Sequence, residues 1–137
     1  RYAVFAQRFH LVGAGFAGLG MAIRLRRDGI DDFAILERAD AVGGTWRDNR
    51  YPGCACDVPS HLYSYSFEPN PRWTRAYAPW HEIRDYLEHC VRQYRLGPHL
   101  RFSAALREAR WDATAGRWQV LTADGRRFSA PVLIAGL

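Results

Sequence analysis

Six consecutive residues restrict this chain more than any others: Gly13-Ala14-Gly15-Phe16-Ala17-Gly18, a G-x-G-x-x-G run. Before it stand Phe9 to Val12, which read as a short buried strand in which His10 is less apolar than such a strand favours. After it, Leu19, Ala22, Ile23 and Leu25 recur at helical spacing, predicting a helix over Phe16 to Asp28. Gly29 stands where a helix end takes a left-handed residue. Phe33 to Leu36 is a second apolar strand, and it ends on Glu37. Strand, helix and strand within about 30 residues have the size of one βαβ unit.

In that setting each glycine has a physical task. Gly13 makes the tight turn out of the strand, Gly15 lets backbone approach a pyrophosphate, and Gly18 lets the helix pack against the strand. Phe16 and Ala17 lie at the helix N-terminus, whose free N–H groups and positive dipole end favour phosphate. Glu37, 19 residues beyond Gly18, is positioned to accept hydrogen bonds from ribose hydroxyls. A carboxylate there disfavours a 2′-phosphate, which argues against NADP at this site, and Arg38 reads as a surface arginine. The fingerprint alone does not choose between FAD and NAD.

Beyond Glu37, Ala39 to Trp80 has little periodicity, yet it is too aromatic for a flexible linker and is expected to pack. Pro79 to Leu96 predicts an amphipathic helix with Ile83, Tyr86, Leu87, Cys90, Val91 and Tyr94 on one face, ended by Gly97-Pro98. A strand is expected over Leu100 to Leu106. Turns at Ala115-Gly116 and Ala123-Asp124-Gly125 then join segments near Arg110 to Trp111, Arg117 to Thr122 and Arg126 to Ser129 into a small antiparallel meander. Pro131 to Ala135 is a last apolar strand. The expected class is α/β, a Rossmann-type nucleotide-binding fold with a parallel sheet plus the meander, and residues 1–137 form one domain.

Composition excludes several alternatives. The net charge is +5 and all nineteen basic residues are Arg, but they are scattered among acids, so nucleic acid is not the expected partner. No apolar run approaches the roughly 20 residues of a membrane span. Arg1 to His10 has a basic first residue but no long apolar stretch, so it does not read as a signal peptide, and no initiator Met is present. Three cysteines, Cys54, Cys56 and Cys90, fit a reducing, cytoplasmic setting better than a disulfide framework. Cys54 and Cys56 with His61 lack metal-site spacing, and His81-Glu82 is not followed by the second histidine of H-E-x-x-H, so no metal is expected. No nucleophile–base arrangement can be read, and no catalytic residue is assigned.

The long middle segment runs Gly43-Gly44-Thr45-Trp46, then Tyr51-Pro52-Gly53, then Asp57-Val58-Pro59-Ser60-His61-Leu62-Tyr63-Ser64-Tyr65-Ser66-Phe67. Gly43 and Gly44 permit close approach to a cofactor, and Trp46 and Tyr51 offer flat surfaces to a planar ring. Asp57 is expected inside the aromatic loop, where a buried carboxylate needs a partner. From Phe9 onward the chain resembles the flavin-dependent monooxygenases of the Baeyer–Villiger type and their flavin-containing monooxygenase relatives.

The resemblance implies that the nucleotide is FAD, with Gly13, Gly15 and Gly18 at its pyrophosphate and Glu37 at its adenosine ribose. It also implies Gly44, Thr45 and Trp46 along the flavin, Asp57 by the flavin and nicotinamide region with Ala55 and Cys56 beside it, Tyr63 in contact with FAD, and the Leu106 backbone at the adenine. In that family NADPH reduces FAD, and the reduced flavin uses O₂ to oxidise a ketone or a soft heteroatom. This chain contains no second G-x-G-x-x-G for NADPH, no intervening histidine signature and no oxygenation arginine. Val132 to Leu137 stand about where the relatives turn toward that signature. The chain is therefore expected to be the FAD-binding portion of such an enzyme, incomplete relative to the family and unable to turn over alone. The alternatives are a non-catalytic flavin-binding module and an NAD-dependent dehydrogenase.

Overall fold

Two strands that bury every face they have define the centre of the molecule. The computed structural model describes residues 3–137, so Arg1 lies outside them. β2 (Phe9–Val12) and β3 (Phe33–Leu36) are parallel, paired from Phe9 opposite Phe33 to Val12 opposite Leu36. They are joined by α1 (Phe16–Arg27), which buries Gly18, Leu19, Ala22, Ile23 and Leu25, and Gly29 follows at φ 76°. β4 (Leu100–Arg101) adds to β3 and β8 (Val132–Ala135) to β2, giving an all-parallel sheet in the order β4-β3-β2-β8. Such sheets are covered on both faces, which is why both central strands are almost wholly apolar.

Alternation along the strands assigns the two covers. Leu11, Phe33 and Ile35 pack with Leu19, Ala22 and Ile23 of α1 and with Tyr86, Leu87 and Cys90 of α3 (Trp80–Gln93). Ala34 and Leu36 pack the other way, against Val120 and Phe128. Those last residues belong to a second sheet of β1 (Val4–Ala6), β5 (Leu106–Asp112), β6 (Arg117–Thr122) and β7 (Arg127–Ala130), in the order β1-β7-β6-β5. β5, β6 and β7 are the expected meander, turning at Gly116 and Gly125, both with positive φ. β1 runs parallel to β7, making this sheet mixed. Its three residues are all exposed, so no burial pattern marked it in the sequence.

Two expected elements change. The helix expected to reach Leu96 ends at Gln93, because Arg95 takes a left-handed φ of 52°. The Leu96 N–H then bonds to the Val91 carbonyl and the Arg95 N–H to that of Arg92, a Schellman closure that turns Leu96 into the core. The strand expected over Leu100 to Leu106 is two strand ends in different sheets. Ser103, at φ 52°, breaks the run, and the Ala104 N–H bonds to the Glu37 carbonyl, carrying the chain from the parallel sheet to the meander. The middle segment is packed as expected, with Cys54, Cys56 and Ala78 buried. Among the described residues no helix is long and apolar enough to cross a membrane.

His10 marks the seam between the two sheets. It is fully buried, edge-on to Phe128 at 5.5 Å, with Nε2 2.8 Å from Gln7 Oε1 and Nδ1 without a protein partner. Burial, with the charges of Arg117 and Arg101 adding to it and Asp32 opposing, pushes its pKa down to about 4. The unfolded chain takes up this proton near 6.5 and the folded chain only near 4, so stability is complete above pH 6.5 and falls as the pH drops through that window. At about 1.4 kcal/mol per unit, the expected loss by pH 5 is about 2 kcal/mol. Urea melts of the wild type and His10→Leu at pH 7 and pH 5 check this. Only the wild type should lose that increment, and equal losses would contradict it.

Candidate nucleotide-cofactor site

The C-terminal ends of β2, β3 and β8 open on one cavity of about 660 Å³. In open α/β sheets this edge, at the strand where the order reverses, is where ligands bind. The lining brings together Gly13, Gly15, Phe16 and Ala17 from the first turn, Glu37 from the end of β3, Gly44, Thr45, Trp46 and Tyr63 from the middle segment, and Leu106 from the start of β5.

The three fingerprint glycines are glycines for different reasons. At Gly18, a Cβ would lie 1.8 Å from the Gly13 carbonyl oxygen, so helix and strand can cross only if this residue has no side chain. At Gly13, φ is 99° and a Cβ would meet the Gly136 carbonyl oxygen at 2.7 Å. Gly15 is different. Its φ is −90°, open to any residue, and a Cβ would meet nothing nearer than the Gly44 Cα at 3.6 Å. Packing within the protein does not require glycine there, whereas a ligand lying against the backbone would. The first turn of α1 has no side-chain cap and no acidic residue, so its N–H groups are left to an anion. Gly18 itself supports the turn from behind and does not line the cavity.

The Gly43-Gly44 pair lays the middle segment across the same opening. Both have positive φ, and a Cβ on Gly44 would come within 3.2 Å of the Gly15 Cα. A four-residue helix, α2 (Thr45–Asp48), follows and sets Thr45 and Trp46 in the lining. The Trp46 indole N–H donates to the Tyr63 hydroxyl at 3.0 Å, and Tyr63 stands edge-on to both Trp46 and Phe16 at 5.2 Å. The long aromatic run divides its work. Tyr63 faces the cavity, while the Tyr65 hydroxyl donates to the Phe16 carbonyl at 2.6 Å and its ring lies over Gly20, where a Cβ would be only 2.9 Å away. Ser60, buried, donates to the Arg75 carbonyl at 2.7 Å.

Glu37 is 3 % exposed. Its Oε2 accepts from the Ala14 N–H at 2.8 Å, and its Oε1 accepts from the Ala39 N–H and from Arg47 Nη1, both at 2.9 Å. Arg47, also buried, continues to Asp48 at 2.8 Å, and Asp48 meets the exposed Arg38 at 2.7 Å. Burial works against the Asp48 charge, but the contacts with Arg47 and Arg38 together outweigh it and hold the carboxyl below its ordinary range.

Asp57 is not where a buried charge would be. It is exposed and outside the cavity lining, because the stretch from Cys54 alternates: Cys54 and Cys56 turn inward, the Cys56 N–H bonds to the Ala78 carbonyl, and Asp57 turns out. The burial expected for its carboxylate is therefore corrected. All three cysteines are free and buried, and among the described residues no cluster of metal ligands forms. Reading the sequence missed Arg47, Ala104, Ala105, Gly136 and Leu137, all of which line the cavity. For Gly136 a signal existed, since a strand parallel to β2 must end at the same edge. For Arg47 there was none, because its partner lies ten residues away in a different element.

A sequence profile of the NAD(P)-binding Rossmann-like domain matches residues 11–80. A Baeyer–Villiger monooxygenase of Streptomyces coelicolor is 57 % identical over 93 % of this chain, and the match covers 24 % of that protein. An FAD-binding monooxygenase of Aspergillus niger is 45 % identical over 82 % of the chain and 19 % of its own length. Among solved structures, an oxidized steroid monooxygenase bound to NADP superposes with a TM-score of 0.88 at 39 % identity, over 96 % of this chain and 26 % of that one. Cyclohexanone monooxygenase from Rhodococcus sp. Phi1 bound to NADP⁺ gives 0.91 at 30 % identity, over 97 % and 26 %. The chain thus spans about a quarter or less of the length of these relatives.

Proposed function

This chain belongs to the NAD(P)-binding Rossmann-like domain family, and on that premise we propose that its cavity holds FAD and that it is the FAD-binding portion of an NADPH- and O₂-dependent monooxygenase of the Baeyer–Villiger type. The observation that carries the reading is the meeting of Gly15 and Gly44: an uncapped helix N-terminus and an aromatic Gly-Gly segment border one opening. An NAD site built on the fingerprint alone needs no such second wall.

Bound FAD would supply the redox chemistry, passing electrons from a reduced nicotinamide to O₂. The chain's own residues bind and orient. The N–H groups at Phe16 and Ala17 hold the pyrophosphate, Glu37 accepts from the adenosine ribose, and the start of β5 at Leu106 borders the adenine. Thr45, Trp46 and Tyr63 form the aromatic wall on the flavin side. Asp57, at the surface, fits a place beside a nicotinamide better than one inside the FAD cavity. A ketone or soft heteroatom substrate and the NADPH site belong to the rest of the longer protein. Residues 1–137 act as one domain in this reading, and three free, buried cysteines suit a cytoplasmic location. The profile's own description favours one other reading, NAD in the same cavity.

Turnover tests the assignment of this chain as a binding portion. With FAD, NADPH, O₂ and a cyclic ketone, the isolated chain is expected to show no ketone-dependent NADPH consumption. The longer protein that carries it is expected to show it. Ketone-dependent consumption by the isolated chain would overturn the division of labour.

A further inference from the structure

Glu37 is gripped as well as buried. A carboxylate offers about four acceptor positions. On Oε1 two are filled, by the Ala39 N–H and by Arg47 Nη1, and on Oε2 one is filled, by the Ala14 N–H. The Arg47 guanidinium is in turn held mostly by the protein. Nη1 also donates to the Ala41 carbonyl at 2.7 Å, while Nε and Nη2 both meet Asp48 Oδ1, at 2.9 and 2.8 Å. Three of its five N–H groups donate hydrogen bonds, Nη2 stands at ion-pair distance from Asp48, and the side chain is only 6 % exposed. Burial works against its charge, but the contacts with Asp48 and Glu37 outweigh burial and raise the guanidinium above its ordinary range. Arg38 braces the outer end of this chain of charges through Asp48.

We infer that Arg47 is a positioning residue for cofactor recognition: it fixes the Glu37 carboxylate so that one acceptor position, on Oε2, is left in the cavity for one ribose hydroxyl. The inference rests on the reading that the adenosine half of FAD lies at Glu37. Arg47 acts through Glu37 because most of its donors are engaged within the protein, Nη1 with Glu37 itself. Without it, a carboxylate enclosed among backbone groups would keep its charge with two N–H donors and no counter-charge. It would then turn toward solvent and lose its defined acceptor.

A ratio tests this, since a merely structural effect would weaken all ligands alike. ADP, 2′-deoxy-ADP and 3′-deoxy-ADP are titrated against the wild-type chain, Arg47→Met and Arg47→Lys, with circular dichroism confirming fold. The wild type is expected to prefer ADP over one of the two deoxy analogues by about tenfold or more, the effect of one hydrogen bond to a charged group. In Arg47→Met the preference should fall to within about threefold. Arg47→Lys keeps the charge but not the fork that bridges Glu37 and Asp48, so it should fold and show a reduced preference. A folded Arg47→Met or Arg47→Lys with the full wild-type ratio overturns the inference and leaves the FAD reading standing. A wild type that binds all three nucleotides equally overturns the ribose reading, and the inference with it.

Discussion

Gly18→Ala is expected to destabilise the fold severely. The added methyl would lie 1.8 Å from the Gly13 carbonyl oxygen and 2.9 Å from the Gly13 carbonyl carbon. Both obstacles are backbone atoms, so no side chain can move aside. They sit where α1 crosses β2, and the same crossing carries Gly136, whose own Cβ would meet the Gly18 nitrogen at 2.8 Å. Relief would require α1 to lift from the parallel sheet, separating Leu19, Ala22 and Ile23 from Leu11 and Ile35. Overpacking of an ordinary core costs about 1–3 kcal/mol. A backbone clash of this depth should exceed about 3 kcal/mol, a large part of the roughly 5–15 kcal/mol that a domain has. Chemical denaturation of soluble protein is the check. A Gly18→Ala variant melting like the wild type would mean that the crossing is looser than the geometry states.

Gly15→Ala should do the reverse, leaving the fold intact and damaging cofactor binding. Its φ of −90° suits alanine, and the new methyl would make only ordinary contact with Gly44 at 3.6 Å. Placing alanine for glycine at this helix cap should cost no more than about 1 kcal/mol. The methyl would nonetheless stand in the cavity at the helix N-terminus. If the pyrophosphate lies there, at least one hydrogen bond to a charged group is lost, worth about 1.5–3 kcal/mol, or roughly ten- to a hundredfold in FAD affinity. Fluorescence titration of FAD against both proteins, alongside their melting curves, separates the two effects. Equal affinities would remove the phosphate from this point. The contrast between two glycines three residues apart, one needed by the protein and one by its ligand, is specific to the geometry.

Much of this arrangement was legible in the chain because it is local. The βαβ unit from Phe9 to Leu36 announces itself through apolar spacing and a glycine turn, and the meander through its turn residues. What stayed hidden is what tertiary contact decides. β1 is three exposed residues paired with β7. Ser103 takes a left-handed conformation that nothing in its sequence context requires, and it splits one apparent strand into two. Asp57 looked enclosed among aromatic residues, but strand-like alternation after Cys54 faces it outward. Arg47 reads as one more surface arginine until the Gly43-Gly44 turn brings it back onto Glu37. In the site itself, fingerprint and aromatic segment could each be seen separately. Their convergence on one cavity could not, because it depends on two glycine backbones touching.

Whether this cavity is an FAD site is decided by equilibrium titration of the purified chain with FAD, with NAD⁺ titrated in parallel. Saturable binding of one FAD per chain is expected, with the flavin absorbance travelling with the protein through gel filtration and NAD⁺ failing to displace it. A folded chain that binds NAD⁺ but stays colourless in excess FAD would contradict it.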